Sequence, residues 1–316
     1  MLGARLVKSG LAIGVAAASV PLMIGAQSAS ASGCPAGTAV ATATQLKAAL
    51  AAAKPGGVIV MSPGTYLGKF AITVSGTAAL PITLCGPQTA IIDGGTNSHT
   101  FSLVGASWWQ LTGFQIQHGL KGLDLSHSSN NVVTGLYVHD TKDAGVHVNS
   151  FSTYNTFNGL LIRHVAAEAF YIGSARTNWC MYSGCLPDAS DHNTIENSDI
   201  AGTISDPIDL KEGSSFGTVS NNRIDGTGMT AKSWINIKGN GYLVTGNVGT
   251  NSPRDGYDVH QILVGWGNNN VLSLNQATVN GPGYAYYVQP GTVGNHVLCN
   301  NTFTAAALGF GNIACG

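Results

Sequence analysis

Four short stretches of the chain share one rhythm: GLDLSHSSNNVV (122–133), GVHVNSFSTYNTF (145–157), PIDLKEGSSFGTV (207–219) and WINIKGNGYLV (234–244). Each reads as a short alternating strand, a polar turn rich in Gly, Ser and Asn, and a second short strand. The apolar anchor of the first strand recurs at Leu123, Val146, Phe170, Ile208, Ile235 and Ile262. The spacings are 23, 24, 38, 27 and 27 residues, and Phe101 extends the series upstream by 22. A period of roughly 20–30 residues made of strands, with no helical pattern between them, specifies a solenoid. Equivalent residues of successive coils then stack on one face, about 4.8 Å apart.

A solenoid stays one domain at 316 residues, and composition agrees with a β-rich, turn-dense chain. Charged residues make up 9%, hydrophobic residues 44%, and glycines number 42. That apolar content is too high for a disordered chain. Residues 1–31 stand apart: Arg5 and Lys8 give a basic start, Leu11 to Ile24 is apolar, and Ala29-Ser30-Ala31 is a small-x-small cleavage site. The apolar run is short for a membrane span, so export into the extracellular space is expected, with no membrane partner. Removing those two cations takes the formal net charge from −1 to −3, which disfavours nucleic acid as a partner. All six cysteines lie beyond the cleavage site. Their even count suits disulfides in an oxidising compartment, and no Cys-x-x-Cys spacing supports the zinc alternative. Of the pairings open to them, position favours Cys34–Cys85, Cys180–Cys185 and Cys299–Cys315.

The chain divides into an N-terminal cap over 32–57, coils over 58–307 and a C-terminal cap over 308–316. The cap holds the one good amphipathic helix, TATQLKAALAAAKPGG (42–57), with Thr44 as its cap and Leu46 and Leu50 on one face. Pro55-Gly56-Gly57 stops it. Asn recurs near the end of the second strand at Asn197, Asn222, Asn247, Asn275 and Asn301, where it suits a stacked ladder of turns. The interval from Phe170 to Ile208 exceeds the others because of Ser174 to Asp191, which carries Arg176, Trp179, Tyr182 and a cysteine pair. A loop of that chemistry projecting from a solenoid reads as the wall of a site.

Aligning coils on the anchors gives three columns. One residue past the anchor stand Asp124, His147, Tyr171, Asp209, Asn236 and Leu263. Three past it stand Ser126, Asn149, Gly173, Lys211, Lys238 and Gly265. Two before it stand Lys121, Ala144, Glu168, Asp206, Ser233 and His260. By the two-residue alternation the first two columns point outward, away from Val148, Ile172, Leu210 and Ile237. Lys211 and Lys238 are thus neighbours on adjacent coils. Stacked like charges push a lysine pKa below its usual value near 10.4, which a general base needs. Alternatively the pair awaits an anionic ligand, or Asp209 and Glu212 neutralise it. Glu168 and Asp206 make the opposite pair, two facing carboxylates for which calcium is the natural occupant in an exported protein. His147 and Tyr171 lie between these groups as candidate acids. Asp209, Asn236 and Asn149 on the columns, Arg176 and Trp179 on the loop, and His260 and Trp266 at the eighth coil are candidates for holding substrate.

With caps, coils and columns placed, the chain resembles the right-handed parallel β-helix proteins of the pectate-lyase-like superfamily, its opening PGGVIVMSPGTY (55–66) being similar to the start of many exported members. A narrower stretch resembles the family-six polysaccharide lyases, the chondroitinase B and alginate lyase group. There an acidic residue five before a catalytic lysine matches Asp206-Pro-Ile-Asp-Leu-Lys211, and an arginine-bearing segment of the next coil matches Asn236-Ile-Lys238-Gly-Asn-Gly. The resemblance implies Lys211 as base, Lys238 in place of the arginine, and Asp206 with Glu168 as calcium ligands. Ile204 stands where a second acidic ligand is expected and Gly239 where a His is common. The resulting expectation is a monomeric polysaccharide lyase, with calcium as cofactor, that cleaves an anionic uronate polymer by β-elimination. The alternatives are a glycoside hydrolase using Asp209 with Asp206 or Glu168, and a non-catalytic polysaccharide-binding surface protein.

Overall fold

Alternation dictates the coil. In the segment Leu123–Ser126 the side chains of Leu123 and Leu125 point one way and those of Asp124 and Ser126 the other. A computed structural model describes residues 33–96 and 99–316. The described residues build three parallel sheets of eleven, nine and ten strands, each coil laying one short strand in each sheet. The coil Leu123–Ser126, Val132–Thr134, Tyr137–His139 shows the plan: its inward Leu125, Val133 and Val138 are fully buried. The all-β parallel solenoid expected from the period is the fold that forms. The expected export segment, 1–31, lies outside the described residues. Among those residues no helix is long and apolar enough to cross a membrane.

The nine-stranded sheet carries the columns. Phe70, Phe101, Leu123, Val146, Phe170, Ile208, Ile235, Tyr257 and Tyr286 stack in register inside it. Ile262 is therefore not an anchor: it is 51% exposed, and Tyr257 holds its expected place. Coils differ in length, with 22 residues from Ile235 to Tyr257 and 29 from there to Tyr286, so a constant 27-residue step misplaces the strand. Packing sets the register instead. The rings of Tyr257 and Tyr286 stack 5.1 Å apart, and each large apolar side chain buried contributes about 1.5–3 kcal/mol. The shift reassigns the columns: Asp258 and not Leu263 follows Asn236, His260 and not Gly265 follows Lys238, and Asp255 and not His260 follows Ser233.

The helix of the N-terminal cap spans Ala43–Ala51, with Leu46 and Leu50 buried. Its cap is Thr42 rather than Thr44, the Thr42 hydroxyl accepting from the Gln45 N–H at 3.2 Å. The cap also contains a strand, Thr38–Val40, that pairs with Val58–Met61 and opens the eleven-stranded sheet. At the far end Phe310 packs 5.0 Å from Tyr286, and Asn312 bonds to both the N–H and the carbonyl of Val288. All three expected disulfides are present. Asn222, Asn247, Asn275 and Asn301 form a ladder, each Nδ2 donating to the next Oδ1 at 2.9, 3.0 and 3.0 Å. Asn197 is not in it. Ser198 occupies that rung, its N–H donating to Asn222, and Asn197 takes the left-handed turn position beside it. A second ladder, Asn131, Asn155 and Asn193, lines another corner.

Candidate active site

The strands Ile208–Leu210 and Ile235–Ile237 pair in parallel, with Leu210 and Ile237 buried inside. Lys211 and Lys238 follow these strands and converge on one carboxylate. Lys211 Nζ lies 2.6 Å from Asp209 Oδ2, and Lys238 Nζ bonds to both Asp209 oxygens, at 2.8 and 2.9 Å. Asp209, 2% exposed, resolves the expected repulsion. Burial alone would push the Lys211 ammonium down, but the Asp209 charge and hydrogen bond outweigh it and raise the pKa above the ordinary lysine value. The depressed lysine expected from stacked charges is thus reversed, because the acid on the same strand sits between the two amines. Burial likewise works to raise Asp209, and Lys238 with Lys211 hold it below the usual carboxylate range. Glu212 adds a smaller charge contribution that also raises Lys211, and its Oε1 accepts from the Arg176 N–H at 2.8 Å and holds the loop.

Tyr171, one coil back, faces a cavity of about 390 Å³ that Lys211, Lys121, Glu168, His147 and Tyr182 also line. Two ammoniums lie over its ring, Lys211 at 4.9 Å and Lys121 at 5.9 Å. Its hydroxyl accepts from the Ala175 N–H at 3.1 Å, and burial, then Asp209, raise its pKa, so the phenol keeps its proton. His147 is not a free acid. It is fully buried, and burial pushes its pKa down against the pull of Asp124. Nε2 donates to the Gly173 carbonyl at 3.2 Å, and Nδ1 accepts from Asn149 at 3.1 Å. Both nitrogens are spent, so the ring serves as a floor beneath Tyr171, 4.8 Å away. Gly173 matters here: its φ of +77° is a left-handed conformation that favours glycine, and it opens the column beside Lys211.

Several expected contact residues are structural. Asn149 is buried, giving Nδ2 to Asp124 and accepting from Ser150. Asn236 donates to Asp206 at 3.0 Å, while its buried Oδ1 has no partner. Trp179 is buried and its indole N–H donates to the Ser174 carbonyl at 3.0 Å, pinning the loop. Asp188 completes that anchorage, accepting from the N–H groups of Ser150 and Phe151 and from the Ser174 hydroxyl. Arg176 is exposed and Trp266 half-buried, and neither lines the Tyr171 cavity. Lys121, paired with Asp143 at 2.7 Å, and Tyr182, edge-on to His147 at 5.4 Å, belong to the cavity but were not singled out for a role. Lys121 was visible in the same column as Glu168 and Asp206; Tyr182 had no signal beyond its loop.

The calcium expectation meets an unsuitable donor set. Calcium takes six to eight oxygens. Asp206 spends both of its own on Ser233 and Asn236, and Glu168 gives one to the Ser205 hydroxyl at 2.8 Å. Among the described residues no three Asp, Glu, His or Cys side chains gather as metal ligands. Burial, then Asp209, raise the pKa of both carboxyls, and the positive charge nearby is lysine. These residues do not fit a bound calcium ion.

Further along the same sheet lies a second cavity of about 370 Å³, lined by Lys232, Arg254, Asp258, His260 and Tyr287 among others. Asp258 Oδ1 and His260 Nδ1 are buried there without a hydrogen-bond partner.

A parallel β-helix with charged cavities along one sheet is a scaffold that carries more than one activity. The chain belongs to the Pel9A-like right-handed β-helix family, whose model matches residues 26–282. Among solved structures it is similar to an alginate lyase from Paenibacillus sp. str. FPU-7, at 28% identity and a TM-score of 0.80, covering 88% of this chain and 98% of that one. It is also similar in fold to pectate lyase Pel9A (16% identity, TM-score 0.64, covering 82% of this chain and 70% of that one). PfbA, a surface adhesin of Streptococcus pneumoniae, shares the fold as well (14% identity, TM-score 0.55, covering 80% and 77%). No curated protein matches the chain.

Proposed function

We propose that this protein is an exported polysaccharide lyase that cleaves an anionic uronate polymer, alginate first among candidates, by β-elimination. The observation that carries the reading is the pairing of a lysine and a phenol on one cavity, with Lys211 Nζ 4.9 Å from the Tyr171 ring centre. The likeness to an alginate lyase over 98% of that chain supports the substrate class.

Lys211, after losing its proton, takes the hydrogen from the carbon next to the uronate carboxylate. The electron pair forms a carbon–carbon double bond as the linkage carbon–oxygen bond breaks, and Tyr171 gives its phenolic proton to the departing oxygen. The proton then returns from Lys211 to Tyr171, directly or through water. Lys121, 5.9 Å from the ring centre, neutralises the substrate carboxylate, lowering the energy of the enolate. Lys238 does not line the cavity; it positions Asp209, and Asp209 positions Lys211. Lysines supply the positive charge, so no step runs through calcium.

The hydrolase alternative needs two free carboxyls facing one linkage. Asp209 is locked between two lysines and Asp206 is bonded through both oxygens, which leaves Glu168 without a partner. The test is a screen of alginate, pectate, glucuronan and chondroitin, with and without a chelator, followed by the ultraviolet absorbance of unsaturated ends. Elimination on at least one uronate polymer that survives chelation is expected. Lys211→Ala and Lys211→Arg should both fall by about 10²–10⁴-fold, because guanidinium cannot give up its proton. Product without unsaturation, or a wild-type rate in Lys211→Arg, refutes the reading.

A further inference from the structure

We propose that the cavity walled by Asp258 and His260 is a second sugar-binding subsite of the same groove, which takes a uronate unit of the chain being cut at Tyr171. The proposal rests on the lyase reading and extends it along the sheet. Tyr171, Asp209, Asn236 and Asp258 are successive members of one outward column. Three coil steps of about 4.8 Å separate the first from the last, comparable to a short oligosaccharide.

The cavity is built for a polar guest. Asp258 is 4% exposed, yet its Oδ1 has no partner, and the buried His260 Nδ1 has none. Buried polar atoms are almost always paired, so two unmet ones in one 370 Å³ cavity mark a place where a ligand supplies the partners. Asp255, which lines the same cavity, shows the contrast: its Oδ1 accepts from the Tyr284 N–H at 2.7 Å and its Oδ2 lies 3.2 Å from Arg254 Nε. Lys232 and Arg254 wall the same space, Arg254 against Asp255 at 3.2 Å, so the cavity offers an anionic sugar cations and a metal ion too few free carboxylates. Its carboxylate meets those cations, its hydroxyls meet Asp258 and His260, and the ring of Tyr287 offers a face for stacking.

The charge state of Asp258 fits this use. Burial, then Asp255 and Asp206, push its carboxyl up to about 7, against the pull of Lys232 and Lys238. His260, Arg254 and Tyr287 are the other titratable groups that line the cavity. Below that value the neutral carboxyl donates to the sugar; above it, the ionised group faces an anion.

The test measures binding of alginate dimers and hexamers by calorimetry in a Lys211→Ala background, which slows turnover by about 10²–10⁴-fold. Readings at about pH 6 and about pH 8 bracket the Asp258 carboxyl. The hexamer should bind more tightly than the dimer, and about tenfold more weakly at the higher pH, as the protonated fraction of a carboxyl near 7 falls between the two readings. Adding Asp258→Asn, whose amide donates at every pH, should flatten that dependence, and adding Arg254→Ala should weaken the hexamer more than the dimer. A pH dependence unchanged by Asp258→Asn, or a hexamer no tighter than a dimer, overturns the subsite. Because binding is the readout, this outcome is separate from the lyase reading, which fails only if the active protein releases no unsaturated product.

Discussion

Replacing Asp209 by Asn removes the one anion that two buried ammoniums share, and its effects follow from the distances. Lys211 and Lys238 reach the carboxylate at 2.6 and 2.8 Å, with side-chain exposures of 13% and 8%. At an effective dielectric near 20, a pair of unit charges at about 4 Å is worth about 4 kcal/mol, or about three pKa units. With Asp209 neutral, its charge and hydrogen bond no longer offset burial, the smaller Glu212 contribution alone remains among the carboxylates, and the Lys211 pKa falls. In the wild type the raised pKa makes kcat/KM climb with pH throughout the alkaline range, because only neutral Lys211 accepts a proton. In Asp209→Asn the climb should finish at least two units lower. Stability should suffer by about 3–5 kcal/mol, the cost of leaving buried charge unpaired. Adding Lys238→Met should restore part of it. The assay is the pH profile of elimination, read by ultraviolet absorbance, beside thermal unfolding of each variant. A folded Asp209→Asn variant whose pH profile matches the wild type would refute the role given to Lys211 and to the shared carboxylate.

Further outcomes follow from other groups. Asp258 has a raised folded pKa, so its proton favours the native state and ionising it costs stability as pH rises from the unfolded value near 4 through about 7. Asp258→Asn should therefore stabilise the protein above that window, by up to about 4 kcal/mol, and change little below it, as thermal melts at the two ends would show. Tyr171→Phe should cut elimination by about 10²–10⁴-fold while oligosaccharide affinity holds; an active phenylalanine variant would remove Tyr171 from the proton path. Replacing Cys299 and Cys315 by Ser should cost about 2–4 kcal/mol in urea melts, and an unchanged midpoint would show that the closed loop does not restrain the unfolded chain.

What the sequence revealed, and what it hid, has a physical pattern. The core columns were legible because alternation is a local property: Leu210 and Ile237 inside and Lys211 and Lys238 outside follow from two-residue periodicity alone. The disulfides were legible because cysteines at the ends of a solenoid have few neighbours to choose from. Coil length was not legible. Loops absorb insertions without disturbing the sheet, so Tyr257 lay hidden behind the more regular but wrong spacing of Ile262, and with it Asp258. Side-chain chemistry failed where a third group decided the outcome. Two stacked lysines predict a depressed pKa; two lysines with Asp209 between them give the reverse. His147 was misread for the same reason, since Asn149 and the Gly173 carbonyl, distant in sequence from one another, close off both ring nitrogens.

The asparagine ladders behave like the teeth of a zipper. Each rung from Asn222 to Asn301 is held by the next one along, so the interior opens only after an end has been freed. The end coils are the exposed teeth, and they are where covalent stitches fall: Cys85 joins the strand Ile82–Cys85 to Cys34 in the cap, and Cys299 joins the final coil to Cys315. Unzipping from either terminus must first pull against a covalent bond. Proteases, which need a locally opened segment of chain, are thereby left to the projecting loops between rungs, and nicks there would leave the ladder closed.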